Sequence, residues 1–271
     1  YLGVKELNAR RSAENFELEN LKETVDFCHS REVKVYLTLN TLIGDSELPT
    51  AVKIIECSYT SGVDALILQD FAAVDIVKKV APKMAMHAST QMSVQTLDGI
   101  KALHEAGFCR AVLPREMSRS EIEYLCKNSP IELEMFVHGA LCMCVSGQCY
   151  LSAMLGSRSG NRGACAQPCR LPFSADNSGS YDLSLKDLSL TDEIRELSKM
   201  GIASFKIEGR MKRPEYVAAA VTACNQALLG KEDARLKENL KSVFSRTGFT
   251  DGYYKGTLGK EVFGTRRKED V

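Results

Sequence analysis

Short apolar or β-branched runs alternate along this chain with longer stretches of helical period, and this alternation restricts the fold more than any other feature. Val33–Leu39, Val63–Leu68, Lys83–His87, Ala111–Leu113, Ile131–Val137, Tyr181–Leu185 and Ala203–Ile207 read as strands. Phe16–Ser30, Leu48–Tyr59, Ala72–Val80, Val94–Ala106, Ser120–Lys127, Thr191–Met200 and Pro214–Leu229 read as helices between and after them. In the first helix Leu18, Leu21, Val25 and Cys28 recur at steps of three and four, which places them on one face. Gly62, Gly107 and Gly201 each stand between a helix and the next strand, a common position for a helix-ending glycine.

Strands joined by helices of this length form βαβ units around a parallel sheet. The residues at Tyr1 read as the end of a truncated first strand, which brings the number of units to eight. The expected fold is therefore α/β, a TIM-type (β/α)8 barrel over residues 1–230. A doubly wound sheet would need a glycine-rich phosphate turn after its first strand, and neither G-x-G-x-x-G nor a Walker-type run is present. Strand starts recur about every 20 to 30 residues, as in such barrels. The interval from Ile131 to Tyr181 is about twice as long, which marks a cysteine-rich insertion, residues 139–175, between strands six and seven. Residues 231–271 read as a C-terminal helix, Lys231–Phe244, and an extended tail leading to a missing domain.

Side chains just past barrel strands face the active mouth. Here they are polar: Asn40, Gln69, Asp70, His87, Gln91, Arg115, Glu116, His138, Lys186, Asp187, Lys206, Glu208 and Arg210. The candidate catalytic set is His87, Gln91, Arg115, Glu116, His138, Lys186, Asp187, Lys206, Glu208 and Arg210. For each, the alternative is a helix cap or a surface loop residue. The other two histidines, His29 and His104, lie in helices, where a solvated or packed role is expected. Arg158, Arg162, Arg170, Lys212 and Arg213 add a basic rim suited to RNA phosphate or a small carboxylate. The competing reading pairs the arginines with Glu116, Asp187 and Glu208. Lysine plus arginine equals aspartate plus glutamate, 35 each, so overall charge does not drive nucleic-acid binding.

No stretch approaches the roughly 20 apolar residues of a membrane helix, and no signal peptide is visible. Ten cysteines without a secretory signal indicate a reducing, cytoplasmic setting, in which disulfides are disfavoured. Cys28, Cys57, Cys109, Cys126 and Cys224 are scattered, whereas Cys142, Cys144, Cys149, Cys165 and Cys169 crowd together. Six residues separate Cys142 from Cys149, fifteen separate Cys149 from Cys165, and three separate Cys165 from Cys169. Converging thiolates among glycines suit an iron–sulfur cluster on Cys142, Cys149, Cys165 and Cys169. Zinc is the alternative: Cys165 and Cys169 have its usual spacing, and Cys144 could replace Cys142 to tighten the other pair. Thiols without metal are a third reading.

Glu134–Ser152 (EMFVHGALCMCVSGQCYLS) followed by Arg158–Pro172 (RSGNRGACAQPCRLP) resembles the signature of the collagenase-like peptidase family U32. Tyr1–Phe16, His87–Met92 (HASTQM), Leu113–Glu116 (LPRE), Ser184–Leu188 (SLKDL) and Phe205–Lys212 (FKIEGRMK) resemble further blocks of that family, so the likeness runs to about Gly252. The resemblance implies an iron–sulfur protein, with 4Fe-4S on Cys142, Cys149, Cys165 and Cys169, that hydroxylates without molecular oxygen. Implied substrates are tRNA or rRNA, with a ubiquinone precursor in another branch, and prephenate is the implied oxygen source. The run GACAQPCR resembles the RNA-modifying branch. Cys144 departs from the pattern, because family members more often carry serine there. The family name implies a protease instead, but H-E-x-x-H and G-x-S-x-G are both absent. A Cys144–His138 thiol–imidazole pair would have to share its loop with the metal ligands. A cluster-carrying or zinc-carrying RNA-binding module is the remaining class.

Overall fold

The computed structural model describes residues 1–10, 13–174, 180–209, 212–231, 234–244 and 248–264. They form an α/β fold whose strand pairs are mostly parallel, in two compact units. Unit 1 holds the described residues of Tyr1–Val94, Asp98–Val112 and Gly147–Ala166. Unit 2 holds those of Gln95–Leu97, Leu113–Ser146 and Gln167–Val271.

In unit 1, β1 (Leu2–Gly3), β2 (Tyr36–Leu39), β3 (Ala65–Leu68), β4 (Ala85–Ala88) and the start of β5 (Arg110–Leu113) pair successively and in parallel. All four residues of β3 are buried, as expected for a parallel strand covered on both faces. The covering helices are α1 (Leu21–His29), α2 (Leu48–Thr60), α3 (Phe71–Val80) and α4 (Leu97–Ala106). Helix α2 buries Ala51, Ile54, Ile55 and Ser58, an i, i+3, i+4, i+7 stripe. Asp70 caps α3, accepting a hydrogen bond from the Ala72 amide at 2.8 Å. The expected first helix is shorter than its pattern: a 3-10 turn at Leu18–Asn20 precedes α1, and Phe16 bridges to Val4.

In unit 2, β6 (Glu132–Gly139) pairs in parallel with β8 (Ser204–Ile207), with a register shift between Phe136 and His138. Strand β7 (Asp187–Ser189) runs antiparallel to the end of β6, setting His138 opposite Ser189 and Gly139 opposite Leu188. These pairings correct two expectations. The strand after the cysteine-rich segment lies at 187–189, not at Tyr181–Leu185, and β8 rather than β7 flanks β6 in parallel. Tyr181 and Leu185 instead form isolated bridges to Phe173 and Phe263, so their alternating pattern belongs to loop pairings. The helices of unit 2 are α5 (Arg119–Asn128), α7 (Ile194–Met200), α8 (Pro214–Leu228), α9 (Ala234–Phe244) and α10 (Gly252–Lys255); α6 (Leu151–Gly156) belongs to unit 1. Tyr216, Ala220, Ala223 and Leu240 form a buried cluster against which Phe249 packs. The tail expected to be extended contributes β9 (Phe249–Thr250), parallel to β7, as well as α10 and a 3-10 turn at Lys260–Val262.

The segment returning to unit 1 is fitted closely at Gly147. Its φ is +79°, and a Cβ there would stand 2.4 Å from the Gln91 carbonyl oxygen. Gly147→Ala is expected to lower stability by about 1–3 kcal/mol, through both left-handed strain and displaced backbone. Urea unfolding checks this, and an unchanged midpoint would show that the segment is not held there.

Candidate functional site

Strand β6 brings Glu134 and His138, both fully buried, into unit 2 together with Phe136. A buried carboxylate needs a partner, and Lys206 on β8 supplies it, with Nζ 3.0 Å from Glu134 Oε1. Lys206 is only 13% exposed, so its charge serves an internal pair rather than an open rim. The Arg115 guanidinium lies 3.5 Å from the Phe136 ring centre, and its buried Nε has no hydrogen-bond partner among the described residues.

His138 Nδ1 lies 2.7 Å from the Tyr216 hydroxyl, and its ring meets Phe249 edge-on at 4.8 Å. Burial, then the positive charge of Lys212, lowers the His138 pKa to about 4, while Glu208 pulls the other way. Burial also raises the Tyr216 pKa, aided by the Glu208 and Asp187 carboxylates. Both rings are therefore neutral at pH 7, and His138 is a weak base held by a hydrogen bond. Tyr216 was not a sequence candidate, because an aromatic residue on a helix carries only a core signal.

The chain leaving β6 bears Cys142 and Cys144, and charged side chains grip its backbone. Glu208 Oε2 accepts from the Ala140 amide at 2.8 Å. Gly139 makes room for that carboxylate: its φ is +142°, and a Cβ there would lie 2.6 Å from Glu208 Cβ. Glu116 accepts from the Ser146 amide at 2.7 Å and from the Ser146 hydroxyl at 2.9 Å. Arg170, 4% exposed, donates to the carbonyls of Leu141 and Leu185 and to the Ser184 hydroxyl. Arg170 is thus turned inward, a correction to its expected place on a basic rim.

In unit 1, Gln91 Nε2 donates to the Asn40 carbonyl at 2.7 Å and to the Asn161 carbonyl at 3.5 Å. Arg162 donates to the Leu42 carbonyl at 2.8 Å and pairs with Glu47, not with the acids expected from sequence. His87, nearly buried in β4, packs edge-on against Tyr36. The Ala166 amide donates to Ser152 Oγ at 3.0 Å, and that hydroxyl donates to Cys165 Sγ at 3.7 Å. Gly160 stands between Cys149 and Cys165, its Cβ position 3.5 Å from Cys165 Cβ and 3.8 Å from the Cys149 carbonyl oxygen.

Cys149 and Cys165 belong to unit 1, and Cys142 and Cys169 to unit 2. Among the described residues no three His, Cys, Asp or Glu side chains gather as a metal site. The donor chemistry nonetheless fits an iron–sulfur cluster or zinc: none of the four is in a disulfide, none is fully buried, and soft thiolates suit both. Asp187 is fully buried at the start of β7. Because β7 is antiparallel, its start stands beside the end of β6, so Lys186 and Asp187 reach that end by a different route from the one expected. Arg210 lies outside the described residues.

The model of peptidase family U32 matches residues 1–263. The chain belongs to peptidase family U32. Relatives of this U32 chain include the 23S rRNA 5-hydroxycytidine C2501 synthase of Escherichia coli, 36% identical over 285 aligned positions. A protein of Porphyromonas gingivalis described as a collagenase is 35% identical, and tRNA hydroxylation protein P1 of Bacillus subtilis is 32% identical. The alignments cover 100%, 94% and 84% of the U32 chain, and 42%, 68% and 57% of these relatives, respectively. Among the described residues, no helix is long and apolar enough to cross a membrane.

The His138 environment predicts a pH dependence. Its pKa is depressed from 6.5 to about 4 on folding. The corresponding stability is complete above pH 6.5 and is lost as pH falls toward 4, to a total of roughly 3 kcal/mol. His138→Gln should flatten the stability–pH curve in that window by this amount. NMR of labelled histidine should find the imidazole neutral at pH 5.5, and half-protonation near pH 6.5 would refute it.

Proposed function

We propose that this U32 chain is the cluster-bearing part of an oxygen-independent RNA hydroxylase acting on a nucleobase of tRNA or rRNA in the cytoplasm. The observation that carries this reading is the 36% identity, over the whole chain, to a relative described as an rRNA 5-hydroxycytidine synthase. In this reading the sheet closes as a TIM-type (β/α)8 barrel, and residues 139–175 form a cysteine-rich insertion over its mouth. Cys142, Cys149, Cys165 and Cys169 would hold a 4Fe-4S cluster, with zinc as the alternative occupant.

Replacing C–H by C–OH removes two electrons from the base, so the reaction needs a two-electron acceptor as well as an oxygen donor, for which we propose prephenate. When bound, the cluster supplies electron transfer and a docking point for the donor. Arg115, stacked on Phe136 with an unpaired Nε, is suited to hold a carboxylate of such a donor bidentately. Glu116, Glu208 and Arg170 keep the cysteine-bearing backbone in place, as their main-chain hydrogen bonds indicate. A nucleobase must leave its stack to reach a pocket of this kind. His138, neutral and buried, orients Tyr216 rather than exchanging protons with solvent.

The test is mass spectrometry of nucleosides from a strain lacking the gene, complemented with the full-length protein or with its Cys142→Ser and Cys165→Ser variants. A hydroxylated nucleoside should vanish on deletion and return only with the unaltered protein, which should carry iron and acid-labile sulfide when purified anaerobically. An unchanged nucleoside profile overturns the reading. Zinc without sulfide favours the zinc-carrying module, and collagen degradation that survives both substitutions favours a peptidase.

A further inference from the structure

We propose that Arg170 is a positioning residue that locks the Cys142 arm and the Cys169 arm of unit 2 to one another. Cys142 directly follows Leu141, and Cys169 directly precedes Arg170. The Arg170 guanidinium donates from Nη2 to the Leu141 carbonyl at 2.5 Å, across 29 positions of sequence. Its Nη1 donates to the Leu185 carbonyl and, at 3.0 Å, to the Ser184 hydroxyl. One buried side chain therefore ties together three stretches: the exit from β6, the 3-10 turn Pro168–Arg170, and the approach to β7.

The geometry calls for arginine specifically. A guanidinium offers five donors in a rigid plane and can serve separated carbonyls at once, whereas a lysine ammonium is a compact point charge on a flexible stem. Leu141, Leu185 and Ser184 are all buried, so the lock is shielded from water. The remaining anchors of the Cys142 arm, Glu208 on Ala140 and Glu116 on Ser146, fix that arm alone. Among these three anchors only Arg170 joins the Cys142 arm to the Cys169 arm.

Only the metal part of the test rests on the proposed function. Amide hydrogen exchange on the full-length, metal-free protein compares the unaltered chain with Arg170→Met and Arg170→Lys. Arg170→Met should speed exchange about ten-fold in both 140–146 and 167–171 while leaving the strands of unit 1 unchanged. Arg170→Lys should fall between the two. Faster exchange confined to 167–171 overturns the proposal, because a merely local role would not reach the other arm. In anaerobically purified protein, Arg170→Met should retain less than about half the iron and sulfide, or zinc, of the unaltered chain. Full retention overturns the proposal even if exchange changes. If the unaltered protein carries no metal, the proposed function fails and exchange alone decides the role of Arg170. Should Arg170→Met not fold, Ser184→Ala removes one acceptor and should raise exchange in both segments by a smaller factor, and no change in 140–146 overturns the proposal.

Discussion

Backbone amides and carbonyls in an irregular segment have no helix or sheet to satisfy them, and burying them unpaired is costly. The stretch between β6 and β7 faces this constraint, and the rest of the candidate site is organised around meeting it. The carboxylates of Glu116 and Glu208 take up its amides, and the guanidinium of Arg170 takes up its carbonyls. Hydrogen bonds to charged groups contribute about 1.5–3 kcal/mol each, more than neutral ones. Cys142 and Cys144 thus ride on a backbone held by ionic side chains rather than by regular structure.

A second constraint is the fate of charge inside unit 2. Glu134 is tolerated there because Lys206 meets it, and His138 because it stays neutral beside Tyr216. Removing one member of such a buried pair leaves an uncompensated group, which costs more than the pair itself contributes. These pairings narrow the chemistry on offer. Residues that look like acids and bases in the sequence are largely occupied in holding the site together, and Arg115 keeps the most evident unspent donor.

Much of the fold could be read from pattern. Leu37, Leu39, Leu66 and Leu68 are buried in parallel strands where the apolar runs put them, and α2 buries the stripe its period implies. The family likeness seen in the blocks around Cys142 and Cys169 is confirmed by the match over residues 1–263. The exceptions have physical causes. Tyr181–Leu185 alternates like a strand, but its backbone is claimed by Phe173 and Phe263, so the strand forms two residues later. Arg162 and Arg170 read as an outward basic rim, yet each has protein acceptors that outcompete solvent.

The sequence by itself determined most of the succession of elements, the family, and a set of clustered cysteines with the chemistry of soft-metal ligands, because periodicity and residue type are local properties. Tertiary structure alone decided the direction of β7, the parallel partnership of β8 with β6, and which backbone groups Glu116, Glu208 and Arg170 satisfy. A side chain's type states how many hydrogen bonds it can make. Which group receives them depends on residues far away in sequence, brought near only when the sheet and its loops assemble.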